Sequence, residues 1–160
     1  MERNELYPVF LKVSQLNILI VGGGNVGLEK LTFMLKSSPN AQVEMVAPEF
    51  LDATLELAKK YQVKITQDSY RKSYLEGRHM VIATTDKVAV NEQIYHDCRE
   101  KHLLVNVADN PPFCDFYMGG IVTKGNVKVA ISTKTIKGDF EEKVETLNEF
   151  TKGLVSKKEK

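Results

Sequence analysis

Leu16-Asn17-Ile18-Leu19-Ile20-Val21-Gly22-Gly23-Gly24-Asn25-Val26-Gly27-Leu28-Glu29-Lys30 is the stretch around which the other residues of this 160-residue chain are read. Its apolar, β-branched run at residues 18–21 stops at three glycines, and a segment carrying Leu28, Leu31, Phe33, Met34 and Leu35 at helix-compatible spacing follows at once. Strand, tight turn and helix are expected in that order. Gly22, Gly24 and Gly27 fill the three glycine positions of a G-x-G-x-x-G dinucleotide fingerprint, a pattern that carries weight only in this strand–turn–helix setting. The first glycine allows the turn, the second lets a pyrophosphate approach the backbone, and the third lets the helix pack close to the strand. The unpaired N–H groups and positive dipole end of that helix would face the phosphates. The competing reading is an ordinary tight turn between a strand and a helix.

Composition narrows the remaining choices. A chain of this length supports one sizeable α/β core and a smaller appended piece, not two full domains. Lys and Arg total 22 against 21 Asp and Glu, a net charge of +1, so no basic field points to nucleic acid and small-molecule chemistry is favoured. Cys98 and Cys114 form no CxxC pair and no signal peptide precedes them, so two reduced, idle thiols and a cytoplasmic setting are expected. No apolar run approaches the ~20 residues that cross a bilayer.

Ahead of the glycines, Pro8 confines Leu6-Tyr7-Pro8-Val9-Phe10-Leu11-Lys12-Val13 to an edge strand or an extended lead-in that covers the core. Beyond the first helix, Gln42-Val43-Glu44-Met45-Val46 reads as a second strand ended by Pro48; a helix with Leu51, Leu55 and Ala58 on one face follows, then a short strand at residues 63–66. An NAD site usually sets an acidic residue about 20 positions past the first glycine to bind the ribose. Val46-Ala47-Pro48 stands there instead, with Glu49 just beyond. Either backbone and Glu49 hold the ribose or the adenosine end is gripped loosely, and no arginine waits for a 2′-phosphate, so NAD is expected over NADP.

The polar stretch at residues 69–77 is expected as a short helix or loop with Arg71 and Lys72 solvated. His79-Met80-Val81-Ile82-Ala83 is apolar enough for a central parallel strand, and it empties into Thr84-Thr85-Asp86, where a cofactor would pass or where Thr85 or Asp86 would cap the next helix. That helix, residues 88–101, buries Val90, Ile94 and Cys98. His79, His96 and His102 lack metal-ligand spacing, so structural or exposed histidines and no metal site are expected. A fifth strand, Leu103-Leu104-Val105-Asn106-Val107, runs into Ala108-Asp109-Asn110-Pro111-Pro112-Phe113-Cys114, where Asp109 is either a functional carboxylate at the ligand-binding edge or a turn residue before Asn-Pro. Residues 121–132 alternate around Lys-Gly-Asn as a hairpin, so the sheet is expected to finish mixed. Phe140, Val144, Leu147, Thr151 and Leu154 recur at heptad-like spacing, fitting a helix that packs on one partner helix. The expected architecture is an α/β Rossmann-like, doubly wound, mostly parallel sheet ending in an antiparallel hairpin, with a carboxyl-terminal helical dimerisation segment. Residues 1–115 would form the NAD-binding domain and residues 116–160 the hairpin and helix.

Taken together, Pro8-Val9-Phe10-Leu11, the glycine stretch, Val46-Ala47-Pro48, Ile82-Ala83-Thr84-Thr85-Asp86, Val105-Asn106-Val107-Ala108-Asp109 and Phe116-Tyr117-Met118 resemble the precorrin-2 dehydrogenase family, including the amino-terminal module of sirohaem synthases. The resemblance spans residues 7–133 with the motifs in order. It implies NAD-dependent oxidation of the tetrapyrrole precorrin-2 to sirohydrochlorin, in some members with iron insertion at the same pocket, by a homodimer. It maps the family's important aspartate onto Asp109, as proton acceptor or ring orienter, and makes Lys12, Lys124 and Lys128 candidate partners for substrate carboxylates. The cofactor-binding residues expected from it are Gly22, Gly23, Gly24, Asn25, Val26, Ala47, Pro48, Thr84, Thr85, Asp86 and Asn106. After the hairpin the family continues through a Gly-x-Ser-Pro-like turn, whereas Ser132-Thr133 here runs straight into Lys134, so a middle segment is expected to be deleted or outside this sequence. An NAD(H)-sensing module without turnover is the competing function; such modules keep the ribose-binding acid that this chain lacks and have no need of Asp109 before Asn-Pro-Pro.

Overall fold

Short β-branched runs bounded by glycine, proline or polar residues become strands, and the segments with apolar residues every three or four positions become helices. The computed structural model describes residues 4–132, together with Glu149 and Lys152, both helical and exposed. The narrow stripe at residues 140–154 and the final tail therefore lie outside the described residues, apart from those two positions. The chain divides into two compact units, residues 10–117 and, among those described, residues 4–9 with 118–132.

In the larger unit, β1 (Asn17–Val21), β2 (Gln42–Ala47), β3 (Lys64–Gln67), β4 (Met80–Ala83) and β5 (Leu104–Val107) form one sheet in the order β3-β2-β1-β4-β5. Every pairing is parallel. Three helices connect strands: α1 (Asn25–Ser37), α2 (Asp52–Tyr61) and α3 (Val88–Glu100), and a 3-10 turn, Lys72–Leu75, leads from β3 toward β4. Right-handed crossovers that run outward in both directions from β1 and β4 put helices on both faces. The central strands are accordingly rich in apolar residues, and Ile18, Leu19, Ile20, Val81 and Ile82 are all wholly buried. Leu19, Val21, Val81, Ala83, Val105 and Val107 share one face and pack with Ile94 and Cys98 of α3 and Leu75 of the 3-10 turn. Burial of each such aliphatic side chain is worth about 1.5–3 kcal/mol, so Leu19→Ala, which also leaves a cavity, costs about 2–5 kcal/mol.

Glu44 is the charged exception on that face. Its side chain is buried (5% exposed), and Arg78 and Lys64 (3.1 Å) pair with it while the Thr66 hydroxyl donates a hydrogen bond (2.7 Å). Burial pushes its pKa up, but the bonds from Arg78, Thr66 and Lys64 and the guanidinium charge outweigh that and hold it below the ordinary carboxylate value.

Two expectations are corrected here. The hairpin, β6 (Gly120–Lys124) and β7 (Val127–Ile131), turns at Gly125, whose φ of +59° supplies the bend. It stands as a separate two-stranded sheet and does not extend the parallel one, which is not mixed. The apolar lead-in is not the buried segment expected either: residues 4–12 have no regular secondary structure and all are exposed, with Tyr7 at 88% and Phe10 at 74%. The reason is topological. β1 is flanked on both sides by strands, so a further strand has no place beside it.

Candidate functional site

Register brings the four parallel strands that matter to a common finish. Val21 pairs with Val46 and with Ala83, and Ala83 pairs with Val107, so β1, β2, β4 and β5 end nearly level at the carboxyl edge. Hydrogen bonds lace that edge. The Gly22 N–H donates to the Val46 carbonyl (2.9 Å), the Thr84 N–H to Val21 (2.8 Å) and the Ala108 N–H to Ala83 (2.9 Å). In a doubly wound sheet this edge, beside the strand where the winding reverses, is where ligands lie.

The three glycines of the fingerprint differ in their surroundings. Gly22 has φ +126°, and a Cβ there would lie 2.8 Å from the Thr84 carbonyl carbon. A Cβ on Gly27 would come 3.1 Å from both the Gly22 carbonyl carbon and the Thr84 hydroxyl, so the helix can approach the turn only as glycine. Gly24, the N-cap of α1, has nothing within 4 Å of its missing Cβ. The first helical hydrogen bond is donated by Leu28 to Gly24 (3.0 Å), which leaves the N–H groups of Asn25, Val26 and Gly27 without helical acceptors. An open approach onto a cluster of N–H donors at a helix start suits a pyrophosphate. The residues present thus fit a bound dinucleotide.

The other expected cofactor contacts are placed as follows. Gly23 is covered by the segment after β2: its carbonyl accepts the Leu51 N–H (3.1 Å), and a Cβ would stand 2.8 Å from the Phe50 ring. Ala47 is buried at the end of β2, and Pro48 is exposed with its carbonyl accepting the Gln67 amide (3.0 Å). Asn25 and Asp86 are exposed, and Val26 is half-buried. Thr84 is buried and its hydroxyl donates to the Val21 carbonyl (2.9 Å), so it forms the bed beneath the glycine turn. Thr85 does not cap α3 as a helical N-cap; Lys87 occupies that position. The Thr85 hydroxyl accepts the Lys87 N–H (3.2 Å), and the buried Asn91 amide clasps the Thr85 backbone at both ends, accepting its N–H (3.2 Å) and donating to its carbonyl (2.9 Å). Asn106 turns its amide to the Phe116 carbonyl (2.8 Å). Asp109, two residues past β5, is exposed in the left-handed region (φ +61°) and no hydrogen bond or ion pair engages its carboxylate among the described residues.

Arg71 and Lys72 are exposed but paired, Arg71 with Asp68 and Lys72 with Glu100 and the buried Asp97 (3.5 Å). All three histidines are exposed, and the His79 Nδ1 accepts the Asn17 N–H (2.9 Å). Both cysteines are free. Burial, with the Asp97 and Asp115 carboxylates, pushes the Cys98 thiol up to about 12; burial also raises Cys114. Sequence reasoning missed Asn91, which stands on no motif and whose only signal is polarity at a buried helix position, and Arg99 and Asp115, whose pairing across 16 positions leaves no signal in the sequence.

Fold and site together define a Rossmann-type dinucleotide-binding protein. The comparisons agree: residues 9–120 match a family described as "Putative NAD(P)-binding", and the chain belongs to that NAD(P)-binding family. It is 36% identical over 126 residues to a siroheme synthase of Nitrosococcus oceani, covering 79% of this chain and 26% of that protein. With a siroheme synthase of Pseudoalteromonas translucida the identity is 33% over 144 residues, 88% of this chain and 30% of the relative. The chain thus spans less than a third of the length of these curated relatives. A solved structure titled "SirC, precorrin-2 dehydrogenase" superposes with a TM-score of 0.71 at 21% identity, covering 88% of this chain and 68% of that one, which establishes the shared fold. Among the described residues no helix is long and apolar enough to cross a membrane.

Proposed function

We propose that this chain is a dehydrogenase module that oxidises precorrin-2 to sirohydrochlorin with NAD+ in sirohaem synthesis. The observation that carries the reading is Asp109, a carboxylate without a partner among the described residues, on the same sheet edge as an open glycine turn rich in N–H donors. The named function of the curated relatives supports it. When bound, NAD+ supplies the hydride acceptor, so that precorrin-2 gives up one hydride and one proton and the products are sirohydrochlorin, NADH and H+.

The chain's own residues bind, orient and move the proton. Gly23, Gly24, Asn25 and Val26 cradle the pyrophosphate through backbone N–H groups, on the turn that Gly22 makes while its own N–H is held by Val46. Ala47 and Pro48 border the adenosine ribose, where the lack of an arginine favours NAD over NADP. Thr84, Thr85 and Asp86 form the adjoining wall, and Asn106 serves by tethering the loop after β5. Asp109 accepts the leaving proton, a role typically worth about 10² to 10⁴ in rate. The proposal includes a homodimer in the cytoplasm, supported by the exposed Ile121, Val122 and Val127 of the hairpin and by two free thiols. The test is anaerobic turnover of precorrin-2 with NAD+ or NADP+, wild type beside Asp109→Asn. NADH formed by wild type and lost in the variant, with NAD+ binding intact, is the expected result. Binding without turnover by wild type would replace this reading with a sensor.

A further inference from the structure

β5 is the last strand of the sheet, so among the described residues its outer side has no strand partner. Asp115 fills that role at one residue. Its N–H donates to the carbonyl of the wholly buried Val105 (2.8 Å), and its carboxylate Oδ2 accepts the Val105 N–H (3.0 Å). The other oxygen, Oδ1, accepts from Nη1 of Arg99 (2.7 Å), in the last turn of α3. One helical turn earlier, Tyr95 stacks on Phe113 of the same loop, with ring centroids 4.2 Å apart and planes 8° from parallel. Two residues four apart on α3 therefore hold two residues two apart on the loop. The Cys114 thiol adds bonds to the Val107 and Asn110 carbonyls (3.2 and 3.3 Å).

A neutral side chain would serve to accept the Val105 N–H. The negative charge on Asp115 is needed only to engage Arg99, and that bond ties the loop to α3, the helix whose start Asn91 clasps to Thr85 at the cofactor edge. Asp109 lies between β5 and this clamp in a conformation that few residues other than glycine, asparagine and aspartate adopt. We propose that Arg99 and Asp115 are positioning residues that set Asp109 against the substrate and act on turnover through its carboxylate. This rests on the reading of Asp109 as the proton acceptor.

The experiment compares wild type, Asp109→Asn, Asp115→Asn, Arg99→Lys, Arg99→Ala and the Asp109→Asn/Asp115→Asn double variant. Turnover of precorrin-2, NAD+ affinity and the thermal midpoint are measured for each. Asp115→Asn keeps an acceptor for Val105, and a half-exposed ion pair adds little to stability, so the midpoint hardly moves. The expected kcat loss for Asp115→Asn and Arg99→Ala is about tenfold, since ångström-scale misplacement costs up to about 10². NAD+ affinity stays within about twofold, and Arg99→Lys, which keeps the charge pair, recovers most of the rate. In the Asp109→Asn background Asp115→Asn adds no further loss, because residues that act through one group are not additive. Losses that multiply in the double variant, an unchanged kcat for Asp115→Asn, or an NAD+ affinity that falls with kcat would each overturn the inference alone. Wild-type turnover by Asp109→Asn would overturn the catalytic reading and this inference with it.

Discussion

Replacing Gly24 by alanine separates binding from folding at the glycine turn. Gly24 has φ −84° and ψ −164°, ordinary extended backbone, and open space where a Cβ would stand. As an N-cap, alanine is worse than glycine by about 0.5–1 kcal/mol, while the loss of unfolded-state freedom returns about 0.4–1 kcal/mol. Stability should be unchanged within about 1 kcal/mol, or about 2–4 °C in Tm. Binding should suffer because the methyl group stands where a phosphate would meet the first N–H groups of α1. Losing one charge-assisted hydrogen bond costs about 1.5–3 kcal/mol, which weakens NAD+ affinity roughly 10- to 140-fold. Gly22→Ala is the contrast: with φ +126° and Thr84 directly against the new methyl group, it should unfold at a markedly lower temperature. Calorimetric titration with NAD+ and thermal denaturation of both variants decide the matter. A Gly24→Ala protein that binds NAD+ as wild type does would refute the placement of the pyrophosphate at this turn.

Asp109→Asn should fold as stably as wild type, because asparagine tolerates φ +61°, whereas Asp109→Ala pays about 1–2 kcal/mol of left-handed strain and should melt lower in calorimetry. Arg78→Ala leaves Glu44 buried with only Lys64 and Thr66, and should cost up to about 3 kcal/mol in denaturant unfolding, at the low end for a broken buried pair. Glu44 is held below its ordinary value of 4.5, so its contribution is fully present above that pH and is lost as the pH falls through the lowered folded value. Stability measured from neutral to strongly acidic pH should therefore drop below about 4.5 in wild type and drop less in Glu44→Gln. Cys98, buried and pushed up to about 12, should resist alkylation at neutral pH until denaturant is added, as read by mass spectrometry.

What the sequence disclosed is what repeats or is punctuated. The β-branched runs of β1, β2, β4 and β5 and the glycine spacing declared a parallel Rossmann sheet, since period and turn chemistry are local properties. Tertiary placement is not local. Tyr7, Val9 and Phe10 look like buried residues by composition, yet all three are exposed. Glu44 looks misplaced in an apolar strand until Arg78, 34 positions later, closes on it. Asp109 showed itself as a polar residue past a strand, but its left-handed backbone and the Arg99–Asp115 clamp depend on how the loop folds back along β5. The hairpin's turn was legible in Lys-Gly-Asn; which sheet it joined was not, because edge pairing depends on the rest of the fold.

The most direct test of the account is a single-turnover experiment under anaerobic conditions. Enzyme in excess over precorrin-2, with saturating NAD+, is followed for NADH by its near-ultraviolet absorbance and for sirohydrochlorin by its own visible spectrum. One NADH formed for each precorrin-2 consumed, with sirohydrochlorin as the product, is the predicted result. NAD+ that binds while precorrin-2 persists unchanged would contradict it, leaving a dinucleotide-binding chain that is no dehydrogenase.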